Sequence, residues 1–294
     1  MCHVAVIGTG VVGSAVALLL RQKGYTVTGV CSKTGVSAAG LAAELGCKST
    51  TVPGDIITEA DIVFLTTPDR ELSSVASRLA DSGTVNNKHI FYHMSGALPA
   101  EVLSPLKEKG AAIGAAHPLQ SFATIEKAIA NLPGSFFAIQ GDNRAVDAVF
   151  KIVADLGGKP FLMKSEDKAL YHLGACIASN YLVAVIHFAV SIFSCIGMSP
   201  EQAAEALLPL IKGTLANIEV LGPVKSLTGP VARGDAGTIE RHLEAMKVLD
   251  PSLAELYKTL GRYTTQVAIE KGSIDKVGAE KLFSIFREEG EADV

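Results

Sequence analysis

The first half of the chain alternates short apolar or β-branched runs with longer segments of helical periodicity. The runs at 3–7, 26–31, 61–66, 90–93, 111–116, 135–139 and 159–163 predict strands. Helices are expected at 11–23, 37–45, 69–80 and 144–156, two of them ending at Gly24 and Gly46, where glycine favours a helix end. Repeated strand–helix alternation predicts an α/β fold: a doubly wound, mostly parallel sheet with helices on both faces.

After Lys164 the strand pattern stops and helical periodicity continues to the end of the chain. Helices are expected at 166–195, 200–220, 236–249, 251–271 and 275–287. Ser199-Pro200 and Asp250-Pro251 are good helix starts, because Ser or Asp caps the helix and proline suits its first position. We therefore expect a sheet domain over residues 1–164 and an all-helical domain over 165–294.

Between Ala169 and Pro200 the chain has no Asp, Glu, Lys or Arg, a length that is sufficient to span a bilayer. The run carries His172, Asn180 and His187 and has no aromatic belt, and polar groups within a membrane are costly. A helix buried on all sides, or across a homodimer interface, is favoured over a membrane span.

Composition narrows the class of protein. The chain has 294 residues, 48% hydrophobic and 19% charged, with a formal net charge of −4. This favours a large folded core, and without a basic patch a nucleic-acid partner is not expected. Five cysteines form no CxxC pair, so neither a metal site nor a disulfide framework is predicted. Without a signal peptide, the expected location is the cytoplasm.

The segment Gly8-Thr9-Gly10-Val11-Val12-Gly13 matches G-x-G-x-x-G, after the first strand and at the opening of the first helix. In that position Gly8 allows the tight turn, Gly10 lets backbone approach a pyrophosphate, and Gly13 lets helix and strand pack closely. The alternative is a glycine-rich turn without a ligand.

The end of the second strand bears on the choice of cofactor. An NAD site usually has Asp or Glu there, whereas this chain has Cys31-Ser32-Lys33-Thr34. A hydroxyl beside a cation suits a 2′-phosphate, so NADP is favoured and NAD remains possible. The alternative is that Lys33 is a solvated loop charge and that the site does not distinguish NADP from NAD.

Two loops at predicted strand ends are expected beside the cofactor: Thr67-Pro68-Asp69, and the segment from His93 that contains Ser95. The first loop has the alternative, or additional, role of starting the next helix.

Candidate catalytic groups follow the strands and begin the long helix. His93 and His117 stand at strand ends, where a histidine can exchange a proton near neutral pH. Lys168, His172, Cys176 and Asn180 recur every four residues and form one helical stripe. Lys168 and Asn180 could position and protonate a substrate oxygen. Alternatively, Lys168 is solvated while His172 and Asn180 are satisfied in the core.

One further loop, Leu227 to Asp235, is marked by glycine and proline between two helices. Its Arg233 is a candidate for binding a carboxylate or a phosphate, or for pairing with Asp235.

Together these segments resemble one family across almost the whole chain: Rossmann oxidoreductases whose helical C-terminal half is a domain of unknown function. The resemblance rests on six motifs in order, which are the glycine fingerprint, Thr67-Pro68-Asp69, the His-x-Ser-Gly-Ala stretch from His93, the His-Pro-Leu-Gln-Ser-Phe stretch from His117, Ser179-Asn180-Tyr181-Leu182, and the Thr-Gly-Pro-x-Ala-Arg-Gly-Asp loop from Thr228.

More distantly the chain is similar to pyrroline-5-carboxylate reductase, ketopantoate reductase, deazaflavin-dependent NADP oxidoreductase and the hydroxyisobutyrate dehydrogenases. Those families imply a helical domain that often dimerises, and a catalytic lysine and asparagine near the start of the long helix. Here Asn180 lies twelve residues after Lys168 rather than four, and His172 stands between them.

The sequence thus predicts an NADP-dependent oxidoreductase acting on a small carbonyl or imine held between the domains. His117, His172 or Lys168 would handle the proton and Asn180 would orient the substrate. Two alternatives stay open: a non-catalytic NADP-binding sensor or dimeric scaffold, and an enzyme with a bound flavin or deazaflavin as hydride partner.

Overall fold

The computed structural model describes residues 2–287. The chain divides into two compact units, Met1–Leu182 and Val183–Val294. The division falls later than the predicted boundary at residue 164, because the start of the long helix contacts the sheet domain through Tyr171 and His172.

The first unit contains one eight-stranded sheet. Its strands are β1 (His3–Ile7), β2 (Thr26–Cys31), β3 (Lys48–Thr50), β4 (Ile62–Leu65), β5 (Ile90–His93), β6 (Ala112–Pro118), β7 (Phe136–Gly141) and β8 (Lys159–Leu162). They lie in the order β3-β2-β1-β4-β5-β6-β7-β8. All neighbours are parallel except β6 and β7, where Ala115 faces Gln140 in antiparallel register. The predicted mostly parallel α/β fold is confirmed.

Helices cover both faces of this sheet. They are α1 (Val11–Gln22), α2 (Val36–Leu45), α3 (Gly54–Ile57), α4 (Asp69–Asp81), α5 (Ser104–Lys107), α6 (Ile125–Asn131), α7 (Asn143–Asp155) and α8 (Lys168–Cys176). Side chains alternate along a strand, so Val4 and Val6 of β1 enter one core while Ala5 and Ile7 enter the other. Burial on both faces explains why the strands read as continuous apolar runs.

The second unit is helical throughout its described residues. Its helices are α9 (Leu182–Ser194), α10 (Pro200–Leu221), α11 (Gly229–Ala232), α12 (Ala236–Met246), α13 (Pro251–Glu270) and α14 (Lys276–Ile285). The predicted caps are present: Ser199 forms a capping box with Gln202, and Asp250 accepts a hydrogen bond from the Ser252 amide. A small core around Ile239, Leu282 and Phe286 holds α12 to α14 together.

The long helix contains a π turn. Between α8 and α9 the residues Ile177–Tyr181 wind as a π-helix, a feature often found at functional positions. The segment Ser165–Ser194 is long and apolar enough to cross a membrane, and none of its most apolar stretch is buried within the chain. The expectation of a helix buried on all sides is therefore wrong for a single chain, because the second unit builds its core from other helices. Burial across a dimer interface stays a prediction.

Candidate functional site

The glycine loop between β1 and α1 has the geometry of a dinucleotide site. Gly8 adopts φ +107° and its amide donates to the Cys31 carbonyl at 2.8 Å. Thr66 Oγ1 donates to the Gly8 carbonyl at 2.5 Å, and a Cβ on Gly13 would overlap both of those oxygens. A Cβ on Gly10 would meet nothing within 4 Å. The loop is thus packed against the end of β4 and leaves Gly10 open to a phosphate.

Hydroxyl groups join this loop to the end of β2. Thr9 Oγ1 and Ser37 Oγ lie 2.7 Å apart, and Ser32 Oγ accepts a hydrogen bond from the Ala38 amide at 3.3 Å. Ser32 therefore accepts a hydrogen bond from an amide in the first turn of α2. The neighbouring Lys33 side chain is exposed. No carboxylate occurs between Cys31 and Thr34, so the residues fit the 2′-phosphate of NADP.

Val11 and Val12, which follow Gly10, are partly buried in the first turn of α1 and pack against the core. They leave the backbone amides of that turn as the groups that would meet a phosphate.

The loop before α4 is tied to the loop after β5. Ser95 Oγ donates to Asp69 Oδ2 at 2.7 Å and accepts hydrogen bonds from the Ala97 and Leu98 amides at 3.1 and 3.0 Å. The Ser95 hydroxyl is therefore fully used in joining these two loops, which is a correction to its predicted contact with the cofactor. Pro68 is exposed at the start of α4, whereas Thr67 Oγ1 is buried and has no hydrogen-bond partner from residue 2 to residue 287.

His93 has a structural role. Its ring is fully buried, Nδ1 accepts from the Ser95 amide at 3.2 Å, and Nε2 donates to the Pro99 carbonyl at 3.1 Å. Burial lowers the pKa of His93 to about 4, so the ring stays neutral. Both nitrogens are thereby occupied, and His93 is not available to a substrate.

Lys168 is a buried amine at the start of α8. It is 2% exposed, and its Nζ has no hydrogen-bond partner within residues 2–287. The ammonium lies 5.9 Å from the centre of the Tyr171 ring. Burial lowers the pKa of Lys168 to about 8, while Asp69 opposes the shift. The alternative of a solvated Lys168 is thereby excluded.

His117 lies beside Lys168, at the end of β6. Its Nδ1 is 2.7 Å from the Tyr171 hydroxyl, and the two rings meet edge to face with centres 5.5 Å apart. Burial first, and then the neighbouring Lys168, lowers the pKa of His117 to about 4. The imidazole is therefore neutral at physiological pH and acts as a hydrogen-bonding group.

His172 packs next to His117, with ring centres 6.5 Å apart. A Cβ on Gly96 would lie 2.7 Å from His172 Nδ1 and 2.8 Å from His117 Nε2. Both nitrogens thus face the bare side of Gly96, which requires a glycine there. His172 Nδ1 is buried with no hydrogen-bond partner in the described part of the chain, and its Nε2 lies 3.5 Å from Cys176 Sγ.

The remaining predicted positions lie elsewhere. Asn180 is exposed within the π turn, about 18 Å along the helix from Lys168 at 1.5 Å per residue. The stripe therefore brings Lys168 and His172 together but not Asn180, a correction to its predicted partnership with Lys168. In the second unit, Asp235 caps α12 by accepting from the Thr238 amide, and Arg233 is exposed. Within residues 2–287 no group of three metal-ligating side chains occurs.

Sequence reasoning missed Tyr171 and Gly96. Tyr171 follows Lys168 by three residues, so the two side chains lie on the same face of the helix. That spacing is the one feature of the sequence from which Tyr171 could have been predicted. Its contact with His117 spans 54 residues of sequence and is set by the fold.

Comparisons with known proteins agree with this architecture. Residues 1–118 match the Rossmann-like domain family, and residues 135–264 match the domain of unknown function DUF2520. None of the curated proteins is similar enough in sequence to match the chain.

Several solved structures share the fold. Protein TM1727 from Thermotoga maritima is 29% identical with a TM-score of 0.73, over 92% of this chain and 99% of that one. A candidate NADP oxidoreductase from Bacteroides fragilis, BF3122, is 22% identical with a TM-score of 0.74, over 90% and 98%. A reductive aminase from Aspergillus terreus, solved with NADPH and ethyl-5-oxohexanoate, is 16% identical with a TM-score of 0.61, over 97% and 92%. Pyrroline-5-carboxylate reductases from Coxiella burnetii and Streptococcus pyogenes share the fold at 15% and 16% identity, with TM-scores of 0.57 and 0.60.

Proposed function

We propose that this chain, which matches a Rossmann-like domain over residues 1–118 and a DUF2520 domain over residues 135–264, is an NADP-dependent oxidoreductase acting on a small carbonyl or imine compound. The observation that carries the proposal is the buried Lys168, whose Nζ has no hydrogen-bond partner among the described residues and which lies at the sheet edge where the open glycine loop also lies. Ligands of open α/β sheets bind at that edge. The names of BF3122 and of the reductive aminase complex support the same cofactor.

Binding of the dinucleotide falls to the first unit. The backbone amides at Gly10 and in the first turn of α1 receive the pyrophosphate, and Ser32 and Lys33 receive the 2′-phosphate. The bound nicotinamide supplies the hydride. The backbone of Thr67 lies beside the same loop, since a Cβ on Gly8 would come within 2.7 Å of the Thr67 amide nitrogen.

Lys168 provides the proton. A pKa of about 8 leaves most of the ammonium protonated at neutral pH and makes it a better acid than an ordinary lysine. Its burial keeps water away from the proton until a substrate oxygen or nitrogen arrives. His117 and His172 stand next to it as hydrogen-bonding groups for the same substrate atom.

A homodimer and a cytoplasmic location complete the proposal. Large apolar side chains are exposed on α9 and α10, among them Val183, Val185, Leu208, Leu210 and Leu215. An apolar surface of this kind indicates a protein partner, and a second copy of this chain is the simplest one. All five cysteines are free thiols, which favours a reducing compartment.

A reductase assay tests the proposal. Purified protein is mixed with NADPH or NADH and screened against ketones, 2-oxo acids, aldehydes and cyclic imines, following absorbance of the reduced nicotinamide. We expect NADPH oxidation that Lys168→Met abolishes and that Lys164→Met, an exposed lysine four residues earlier, leaves unchanged. Tight NADPH binding with no turnover of any substrate would instead favour the non-catalytic sensor.

A further inference from the structure

Tyr171 and His117 form a hydrogen-bonded pair whose direction can be worked out. The Tyr171 hydroxyl has His117 Nδ1 as its hydrogen-bond partner among the described residues, at 2.7 Å. Burial raises the pKa of Tyr171 to about 12, so the phenol keeps its proton. If Nδ1 carried the imidazole proton, the phenol would have no acceptor for its own proton among the described residues. The phenol therefore donates to Nδ1.

A neutral imidazole has one proton, and this donation places it on Nε2. Nε2 is the nitrogen that faces Gly96 and has no hydrogen bond within the described residues. Packing fixes the pair, because Tyr171 also contacts Phe161 with ring centres 6.1 Å apart. The site thus presents a fixed N–H donor beside the Lys168 ammonium.

We propose that Tyr171 is a positioning residue that holds His117 with its proton on Nε2, so that His117 and Lys168 together bind the oxygen of a carbonyl substrate in preference to the nitrogen of a protonated imine. The proposal rests on the proposed oxidoreductase function and assigns its substrate class. In the reaction, hydride from the reduced nicotinamide adds to the carbonyl carbon. The C=O π pair moves to oxygen, and the Lys168 ammonium supplies the proton that completes the alcohol.

The charges around the two donors support a carbonyl. The titratable groups that face His117 are Tyr171, His172, Lys168 and His93, and Lys168 additionally has Asp69 nearby. The Asp69 carboxylate is already bound by Ser95. Developing negative charge on a carbonyl oxygen would be stabilised by both donors, as in an oxyanion site. An iminium N–H⁺ has no lone pair to offer them, and the ammonium would repel it.

Nitrogen-15 NMR of histidine-labelled protein tests the positioning role without any turnover. His117→Gln assigns the signals. We expect His117 to show an unprotonated Nδ1 and a protonated Nε2 from pH 5.5 to 8, and Tyr171→Phe to give a mixture of tautomers. Tyr263→Phe, which removes an exposed hydroxyl, should leave the signals unchanged. A proton on Nδ1, or a titration near pH 6.5, would overturn the proposal.

Binding and kinetics test the substrate class. With NADP⁺ present, cyclopentanone should shift the His117 Nε2 signal and cyclopentylamine should not; equal shifts, or none, overturn the assignment. With active substrates, Tyr171→Phe should lower kcat about 10–100-fold with little change in KM, and should have almost no further effect in a His117→Gln background. Faster turnover of imines than of the matching ketones would also contradict the assignment of a carbonyl substrate. If calorimetry showed that the wild type does not bind NADPH, the oxidoreductase function would be refuted. The tautomer of His117 would not be affected by that result, so the two failures can be told apart.

Discussion

Replacing Lys168 by methionine should abolish turnover and at the same time stabilise the fold. Methionine has a similar length and no charge, so it fills the same buried space. The lysine pKa falls from its ordinary value of 10.5 to about 8. At about 1.4 kcal/mol per pKa unit, the charged form costs the folded state about 3 kcal/mol. For a unit of this size the midpoint of thermal unfolding should rise by roughly 6–12 °C at pH 7.

The sign of the pH dependence follows from the lowered pKa. Below pH 8 the lysine is protonated in both the folded and the unfolded state, so the wild type carries the full cost of burying the charge. Between about pH 8 and 10.5 the folded lysine loses its proton while the unfolded one keeps it, so the stability of the wild type increases with pH. The advantage of Lys168→Met should therefore shrink over that range.

Denaturant and thermal unfolding at pH 7 and pH 10, with Lys164→Met as the control, measure both effects. The control replaces an exposed lysine and should change stability little. If Lys168→Met lowered the free energy of unfolding at pH 7, or if its effect were the same at both pH values, Lys168 would have a partner that the structure does not show, and its assignment as a proton donor would fail.

Three further predictions concern the cofactor and the assembly. Gly13→Ala forces a Cβ onto the Gly8 carbonyl and Thr66 Oγ1, so it should destabilise the protein by about 1–3 kcal/mol and abolish dinucleotide binding, measured by unfolding and calorimetry; normal binding would show that the loop tolerates the methyl group. Lys33→Glu should weaken NADP⁺ about tenfold or more and leave NAD⁺ binding nearly unchanged; equal losses for both cofactors would place the lysine away from the 2′-phosphate. Analytical sedimentation of the wild type should give about twice the chain mass of 30.7 kDa. Val183→Lys on α9 should shift the protein towards monomer. A monomeric wild type would contradict the proposed dimer.

The sheet domain was largely predictable because its strands are buried on both faces. The predicted limits of β1, β2 and β5 agree with the structure, since each strand is an apolar run that ends at a polar or glycine residue. The edge strand β3 was missed, because Lys48–Thr50 is short and mostly exposed and so has no apolar pattern. The antiparallel direction of β7 could not be predicted either, because a buried strand has the same apolar pattern whether it pairs in parallel or antiparallel.

The candidate site was predictable only in part, for a different reason. Residues in the glycine loop are recognised by local spacing, and that geometry is present. Periodicity placed Lys168, His172 and Asn180 on one side of the helix, but Asn180 lies about three turns further along the helix axis than Lys168. The partner of His117 is Tyr171, 54 residues away in sequence, and no local pattern specifies such a contact. His93, which resembles His117 in sequence context, proved to be tied to the backbone.

Calorimetric titration of NADP⁺ into the wild type and into Gly10→Asp tests the central claim most directly. A Cβ at Gly10 meets open space, so the variant should fold normally while its carboxylate repels the pyrophosphate. We predict binding by the wild type and its loss in Gly10→Asp. No heat from the wild type with either NADP⁺ or NAD⁺, or equal binding by the folded variant, would contradict the account.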